Sequence, residues 1–427
     1  MNTVFSMLNK LTALALSSLL LVSAANADLI ALTGATVHPV SSDPIEGTVL
    51  LRDGLVEAVG TDVAIPDDAT VIDLAGLHLY PGFVHPATQL GLTEISSVAG
   101  TVDTAEMGAI NAAIRAEVAI NHDSRLLPAS IAGGILSAHV MPDGGLIQGT
   151  SAVIRLDGWS WEEMVIASPT GMHLAFPSAA VDDEDNEDLK RIERVLDQAR
   201  HYQRAVAAAE NDDAPSPARN DQLAALGPVL NGEMPLFIKV NRYDVMEKAL
   251  DWAQEQGFER IVLMANPDVQ YLAERLAADD IPVILRNVYA MPSRRWEPYD
   301  MAFVAAARLA EAGVRFAIAD SGGGMDVANA RNLPFHAGSA AAHGLDKMDA
   351  LKSVTLWPAE ILGVADQLGS IEPGKRATLF ASTGDPLEPM TRIERVWIDG
   401  SEYDLMRDPG RSLYQRYRQR VESSNSE

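Results

Sequence analysis

The chain of 427 residues contains no cysteine. That excludes disulfides, thiolate metal ligands, a cysteine nucleophile and a lipid-bearing cysteine behind an export signal. Basic residues are scarce: 33 Lys and Arg stand against 59 Asp and Glu, a formal charge of −26. So acidic a surface repels phosphate backbones and argues against a nucleic-acid partner. Past the first residues there is no apolar run long enough to span a bilayer, roughly eighteen residues or more. No Gly-X-Ser-X-Gly elbow, P-loop or dinucleotide fingerprint stands at a strand-to-helix junction.

What is present allows a large core, since 47% of the residues are hydrophobic. The first residues read as an export signal at 1–27. Lys10 is the positive start, Leu11 to Ala24 the apolar run, and Ala25-Asn26-Ala27 a small-X-small cleavage site. The expectation is a periplasmic protein, free of the membrane after cleavage, whose core holds the fold without disulfides.

Residues 28–79 are strand-rich, with a hairpin signal at Asp53-Gly54 between two apolar runs. Strand, turn and strand return at Gly369–Ala381 and Ile393–Gly400, so 28–79 and 365–405 read as the two parts of one small β-sandwich. Between them, 80–364 alternates apolar strands with helical stretches, the pattern of a parallel α/β barrel. Expected strands include Ile131–Val140, Ser151–Leu156, Leu236–Val240, Ile261–Met264, Ile281–Leu285 and Val314–Asp320. An acidic run at Asp182–Asp188 and a polar helix to Glu210 mark an insertion over 182–220, and 406–427 reads as a terminal helix.

The stretch Asp73–Leu92, with Gly76 and Pro81-Gly82, resembles the entry to the barrel in the amidohydrolase superfamily. Asp320–Pro334, Thr355–Gly363 and Gly369–Lys375 carry the same resemblance. It is greatest to imidazolonepropionase-like members of the metal-dependent hydrolase composite-domain type. The resemblance implies a (β/α)8 TIM-like barrel with a β-sandwich built from both chain ends. It also implies hydrolysis of carbon–nitrogen bonds in non-peptide or cyclic amides by water activated on a divalent metal such as Zn. Matched position by position, His85 stands where the family has aspartate, and Ala87 and Gln89 stand for its two histidines. Lys239 and Asn241 occupy a middle strand end, and Ala265 a further histidine position. Asp320 keeps the aspartate that in the family binds metal and acts as general base. The expectation is therefore a catalytic Asp320 in a pocket with His85, Gln89, Lys239 and Asn241, and no retained set of metal ligands. The alternative is a catalytically inactive binding protein on the same fold.

Lys239 admits three readings: an ion pair with Asp320, a carboxylated lysine bridging metals, or a lysine reaching to solvent. Glu94 is the second acid that a two-carboxylate glycosidase would need beside Asp320. Ser321-Gly322-Gly323-Gly324 offers backbone N–H groups to an anion. His122 reads as a turn residue, His139 as a core or lining residue, and His336 as part of a helix. The partner expected is a small-molecule ligand or substrate, and the resemblance allows self-association.

Overall fold

The computed structural model describes residues 29–183, 185–211, 215–322 and 325–424. The export segment read at 1–27 lies outside them, as do Gly323 and Gly324.

One sheet is built from both chain ends. Strand β1 (Leu29–Val37) pairs antiparallel with β2 (Ile45–Arg52), and β2 with β3 (Leu55–Gly60). Asp53 and Gly54 both have positive φ, which fits the right-handed twist of a two-residue hairpin. The other edge of β1 runs parallel to β4 (Thr70–Asp73) and β5 (His78–Pro81). The chain's far end then adds β14 (Leu379–Ser382) antiparallel to β5, followed by β15 (Ile393–Ile398) and β16 (Ser401–Glu402). These eight strands are hydrogen-bonded as one mixed sheet, and Leu32, Val37, Leu51, Leu79, Leu379 and Trp397 fill its core.

The second sheet is the barrel. Its strands are β6 (Phe83–Thr88), β7 (Ile135–Val140), β8 (Ile147–Arg155), β9 (Val165–Ala175), β10 (Leu236–Val240), β11 (Ile261–Ala265), β12 (Val283–Arg286) and β13 (Phe316–Ala319), neighbours in sequence order. Most are buried along their whole length because both faces are covered. The parallel pattern expected from the sequence is broken once: β8 runs antiparallel to β7 and to β9. Only residues 141–146 join β7 to β8, too few for a crossover connection, which takes about a dozen residues. Strand β9 escapes a sequence reading because Pro169 and Gly171 interrupt its apolar pattern. Ile131, expected in a strand, ends the helix Leu126–Ile131, and β7 starts after Gly133-Gly134.

The barrel has a seam. β6 and β13 are the two ends of the hydrogen-bonded order and share no ladder. The segment between two helices fills in: Val84 N–H donates to the Val354 carbonyl at 2.9 Å, and Ile318 N–H to that of Ser353 at 3.0 Å. Below the mouth, Val84, Ala87, Phe237, Val262, Met264, Ile284 and Ala317 pack as an interior core. Phe380 of β14 joins the two sheets, with its ring 5.7 Å from Tyr80 and 5.0 Å from Phe83.

The insertion contains the helix Glu187–Glu210, capped by the Asn186 side chain on Leu189 N–H. It buries Ile192, Leu196 and Ala199 at helical spacing and leaves its charged residues outward. Among the described residues no helix is long and apolar enough to cross a membrane.

Candidate functional site

The C-terminal ends of the barrel strands bring a polar group together at one mouth. His85 sits on β6 and is fully buried; Asp320 follows β13 and is nearly so. His85 Nε2 lies 3.2 Å from Asp320 Oδ2, and Gly322 N–H donates to Asp320 Oδ1 at 2.9 Å. Ala87 N–H points at His85 Nδ1 at 3.4 Å. A backbone N–H can only donate, so Nδ1 is the acceptor and Nε2 carries the hydrogen toward the carboxylate. The link crosses the seam between β6 and β13, where the ladder is missing.

Burial alone would raise the Asp320 carboxyl. The His85 imidazole, the Gly322 N–H and the field of His336 outweigh it and hold the group below its ordinary value. The expected ion pair between Lys239 and Asp320 does not form. Lys239 on β10 instead donates to both oxygens of Asp143, at 2.9 and 3.0 Å, while Asp320 is taken by His85. Asp143 lies in the short β7–β8 connection, fixed by its N–H on the Thr104 carbonyl, and also accepts from Gln148. With Lys239 and Asn241 these residues line a cavity of about 470 Å³, together with Phe176 and Ser178.

The remaining expected residues are placed as follows. Gln89 is buried just past β6, its amide oxygen 3.5 Å from the Thr93 hydroxyl. Asn241 is exposed after β10. Glu94 is engaged by the Ser124 hydroxyl at 2.5 Å and the Arg125 N–H at 3.1 Å, so it fixes a loop. His336 lies on the helix Leu333–Ala342, its ring 4.5 Å from Tyr289. His122 is in a turn, 3.9 Å from Asp123.

Three residues of the barrel interior and mouth were not picked out as site residues. Arg286, at the end of β12, is buried and donates to the Ser321 carbonyl. Burial pushes its guanidinium down, while Asp143, Asp320 and Asp326 oppose that shift. His139 and His173 are fully buried, and their rings lie 5.1 and 4.8 Å from Phe237 inside the barrel. Gly171 makes room for that ring, since a Cβ there would come within 2.1 Å of it. His139 Nδ1–H donates to the Pro86 carbonyl at 2.8 Å, which leaves Nε2 as a bare lone pair. Burial lowers His139 to about 4, against a small rise from the Pro86 contact, and the same cause takes His173 well below its usual range. The missed signal was period-two placement: His139 and Arg286 share a strand face with Ser137 and Ile284.

Residues 261–405 match the model of the amidohydrolase family. The fold of an amidohydrolase from Thermotoga maritima MSB8 superposes with a TM-score of 0.80 at 27% identity, over 88% of this chain and 99% of that one. The chain belongs to the amidohydrolase superfamily. The architecture of this member is an eight-stranded, near-closed barrel beside a mixed sheet from both chain ends. Molinate hydrolase, at 15% identity, shares the fold with a TM-score of 0.54 over 90% of this chain and 96% of its own. Curated relatives match in short segments. The amidohydrolase tasK of Hapsidospora irregularis is 37% identical over 75 residues, 18% of this chain and 8% of that one. A putative N-acetylgalactosamine-6-phosphate deacetylase of Escherichia coli K12 is 37% identical over 57 residues, 13% of this chain and 31% of that one. The chain thus spans less than a third of either curated relative in the matched segment.

The superfamily implies a divalent metal, and this donor set does not fit one. Ala87 and Ala265 carry no donor, and both His85 nitrogens are engaged. Lys239 and Arg286 bring cationic heads to the same mouth. Among the described residues no three His, Asp or Glu side chains converge on a common point.

Proposed function

We propose that this amidohydrolase-family protein binds a small polar molecule in its barrel mouth and does so without the metal-activated water of its relatives. The observation that carries the reading is a concentration of unmet hydrogen-bonding atoms. Ser137 Oγ, His139 Nε2, His173 Nε2, Arg286 Nε and His336 Nδ1 are five of the eight buried side-chain atoms that find no partner among the described residues. All five sit on barrel strands or on the helix beside Asp320. Buried polar atoms are otherwise satisfied in folded proteins, so such a cluster marks where a polar guest belongs. His139 Nε2 is an acceptor; Arg286 Nε and the Lys239 ammonium are donors. A guest presenting both an N–H or O–H and a carbonyl would satisfy them.

Hydrolysis of a carbon–nitrogen bond in a cyclic or non-peptide amide is the second reading. It rests on Asp320 standing at the end of the last barrel strand. The two readings part on one pair of measurements. Protein purified without chelators is assayed for transition metals, and a panel of amides is tested with the parent protein and with Asp320→Asn. Substoichiometric metal together with no turnover supports the binding reading. Near-stoichiometric metal, or turnover abolished by Asp320→Asn, overturns it. Ligand binding itself is scored as a thermal shift with small amides, expected in the parent protein and lost in His139→Phe.

We place the protein in the periplasm, on the strength of Lys10, the Leu11–Ala24 run and Ala25-Asn26-Ala27.

A further inference from the structure

The terminal helix Pro409–Ser424 sits on its own body with its faces reversed. Leu413, Tyr417 and Val421 recur every fourth residue and form one stripe. They are 46%, 54% and 59% exposed, and no residue of the helix is buried. The side toward the body is mainly polar: Gln415, Arg418, Gln419 and Glu422, with Tyr414, line an open groove against Met406, Ile393 and Glu394. The helix is held mainly at its start, where the Asp408 carboxylate accepts from Gly410 and Arg411 N–H, and Arg411 donates to the Ile393 carbonyl at 2.8 Å. An amphipathic helix ordinarily buries its apolar stripe, and one of 16 residues is marginal without a tertiary partner. The helix carries four arginines and one glutamate in a chain of formal charge −26. Arg416 and Arg420 flank the stripe, 5.9 and 5.8 Å from the Tyr417 ring.

We propose that this helix docks, through Leu413, Tyr417 and Val421, on the acidic body of a second copy of the same chain. Charge complementarity selects the occupant. The stripe is rimmed by guanidiniums and fits an apolar strip rimmed by carboxylates, and this chain's own surface carries carboxylates in large excess. Two such helices pressed face to face would set Arg416 and Arg420 of both copies along one seam, so the contact runs from helix to body. Reciprocal docking about a twofold axis closes the assembly at two copies. A bilayer of anionic lipid is the other surface that attracts a basic amphipathic helix. Here it would also face the strongly negative body, and it would gain only three apolar side chains.

The test uses the full chain in analytical ultracentrifugation with a photo-crosslinking residue in place of Tyr417. The expected result is a mass of two copies at low salt and a covalent dimer whose linked peptide lies outside the helix. Arg416→Glu/Arg420→Glu and, separately, Leu413→Ser/Val421→Ser should each weaken dimerisation by about tenfold or more, with far-UV circular dichroism unchanged. A monomer in the unsubstituted protein overturns the proposal. So does a crosslink from helix to helix. Co-sedimentation of a monomer with phosphatidylglycerol vesicles, lost in the double arginine variant, overturns it in favour of lipid.

Discussion

His85 takes the place where the resemblance implies an aspartate, and its contacts say what that change does. One ring nitrogen receives the Ala87 N–H and the other faces Asp320, so the pair spans the seam between β6 and β13. In this chain the Asp320 carboxylate ties two strands together. Removing one member leaves a buried charge with a single backbone N–H. His85→Ala is therefore expected to cost about 3 kcal/mol, the scale of a lost hydrogen bond to a buried charged group. Adding Asp320→Asn should recover part of it, read as coupling in a double-mutant cycle by urea unfolding. Additive effects would show that the two side chains do not interact. At Gly171 the argument is steric. Gly171→Ala drives a methyl into the Phe237 ring, and an overpacking loss of about 2 kcal/mol is expected. A neutral result would mean that the ring moves freely. His139, His173 and Arg286 show why single residues were hard to pick out. Each looks like an ordinary member of an apolar strand until the barrel fixes which face is inside.

At the scale of elements, the strands were legible where apolar residues run unbroken or alternate, as in β1, β10 and β11. β9 was not, because Pro169 and Gly171 hide it, and the reversal of β8 follows from connection length. The acidic run and its helix were readable from composition, since the helix keeps its apolar residues to one narrow face. Phe380 is one of the contacts that join the two sheets, beside the Arg155–Asp399 ion pair: its ring touches Tyr80 at the end of β5 and Phe83 at the start of β6. Phe380 is fully buried, so Phe380→Ala is expected to cost about 3 kcal/mol or more. Because the ring is shared, sheet and barrel should still melt in a single calorimetric transition. Two separated transitions in the parent protein would show that the sheets fold independently.

For the molecule as a whole, pH is the sharpest lever. His38, His139 and His336 are each lowered to about 4, chiefly by burial, and His173 lies well below its usual value for the same reason. Their unfolded value is about 6.5. Between those limits the unfolded chain binds protons that the folded one refuses, so stability rises with pH across the window. The melting temperature should be nearly flat above pH 7 and fall steadily from pH 6.5 to 4. The lowered Asp320 carboxyl adds a further loss below its own ordinary range. A melting curve independent of pH over that window would refute the burial of these rings.

By itself the sequence determined the superfamily frame: a Gly- and Pro-punctuated barrel entry, strand–helix alternation, and a sheet supplied from both ends. It also determined that Ala87 and Ala265 offer no donor to a metal, because a residue's donor atoms are fixed by its identity. Only the tertiary structure decided which charges meet. The sequence offered Lys239 only Asp320 as an ion-pair partner, and it bonds Asp143 instead because Asp320 is already held by His85 across the seam. Pairing of this kind depends on distances of a few ångströms between strands far apart in the chain. Local pattern carries no record of such distances.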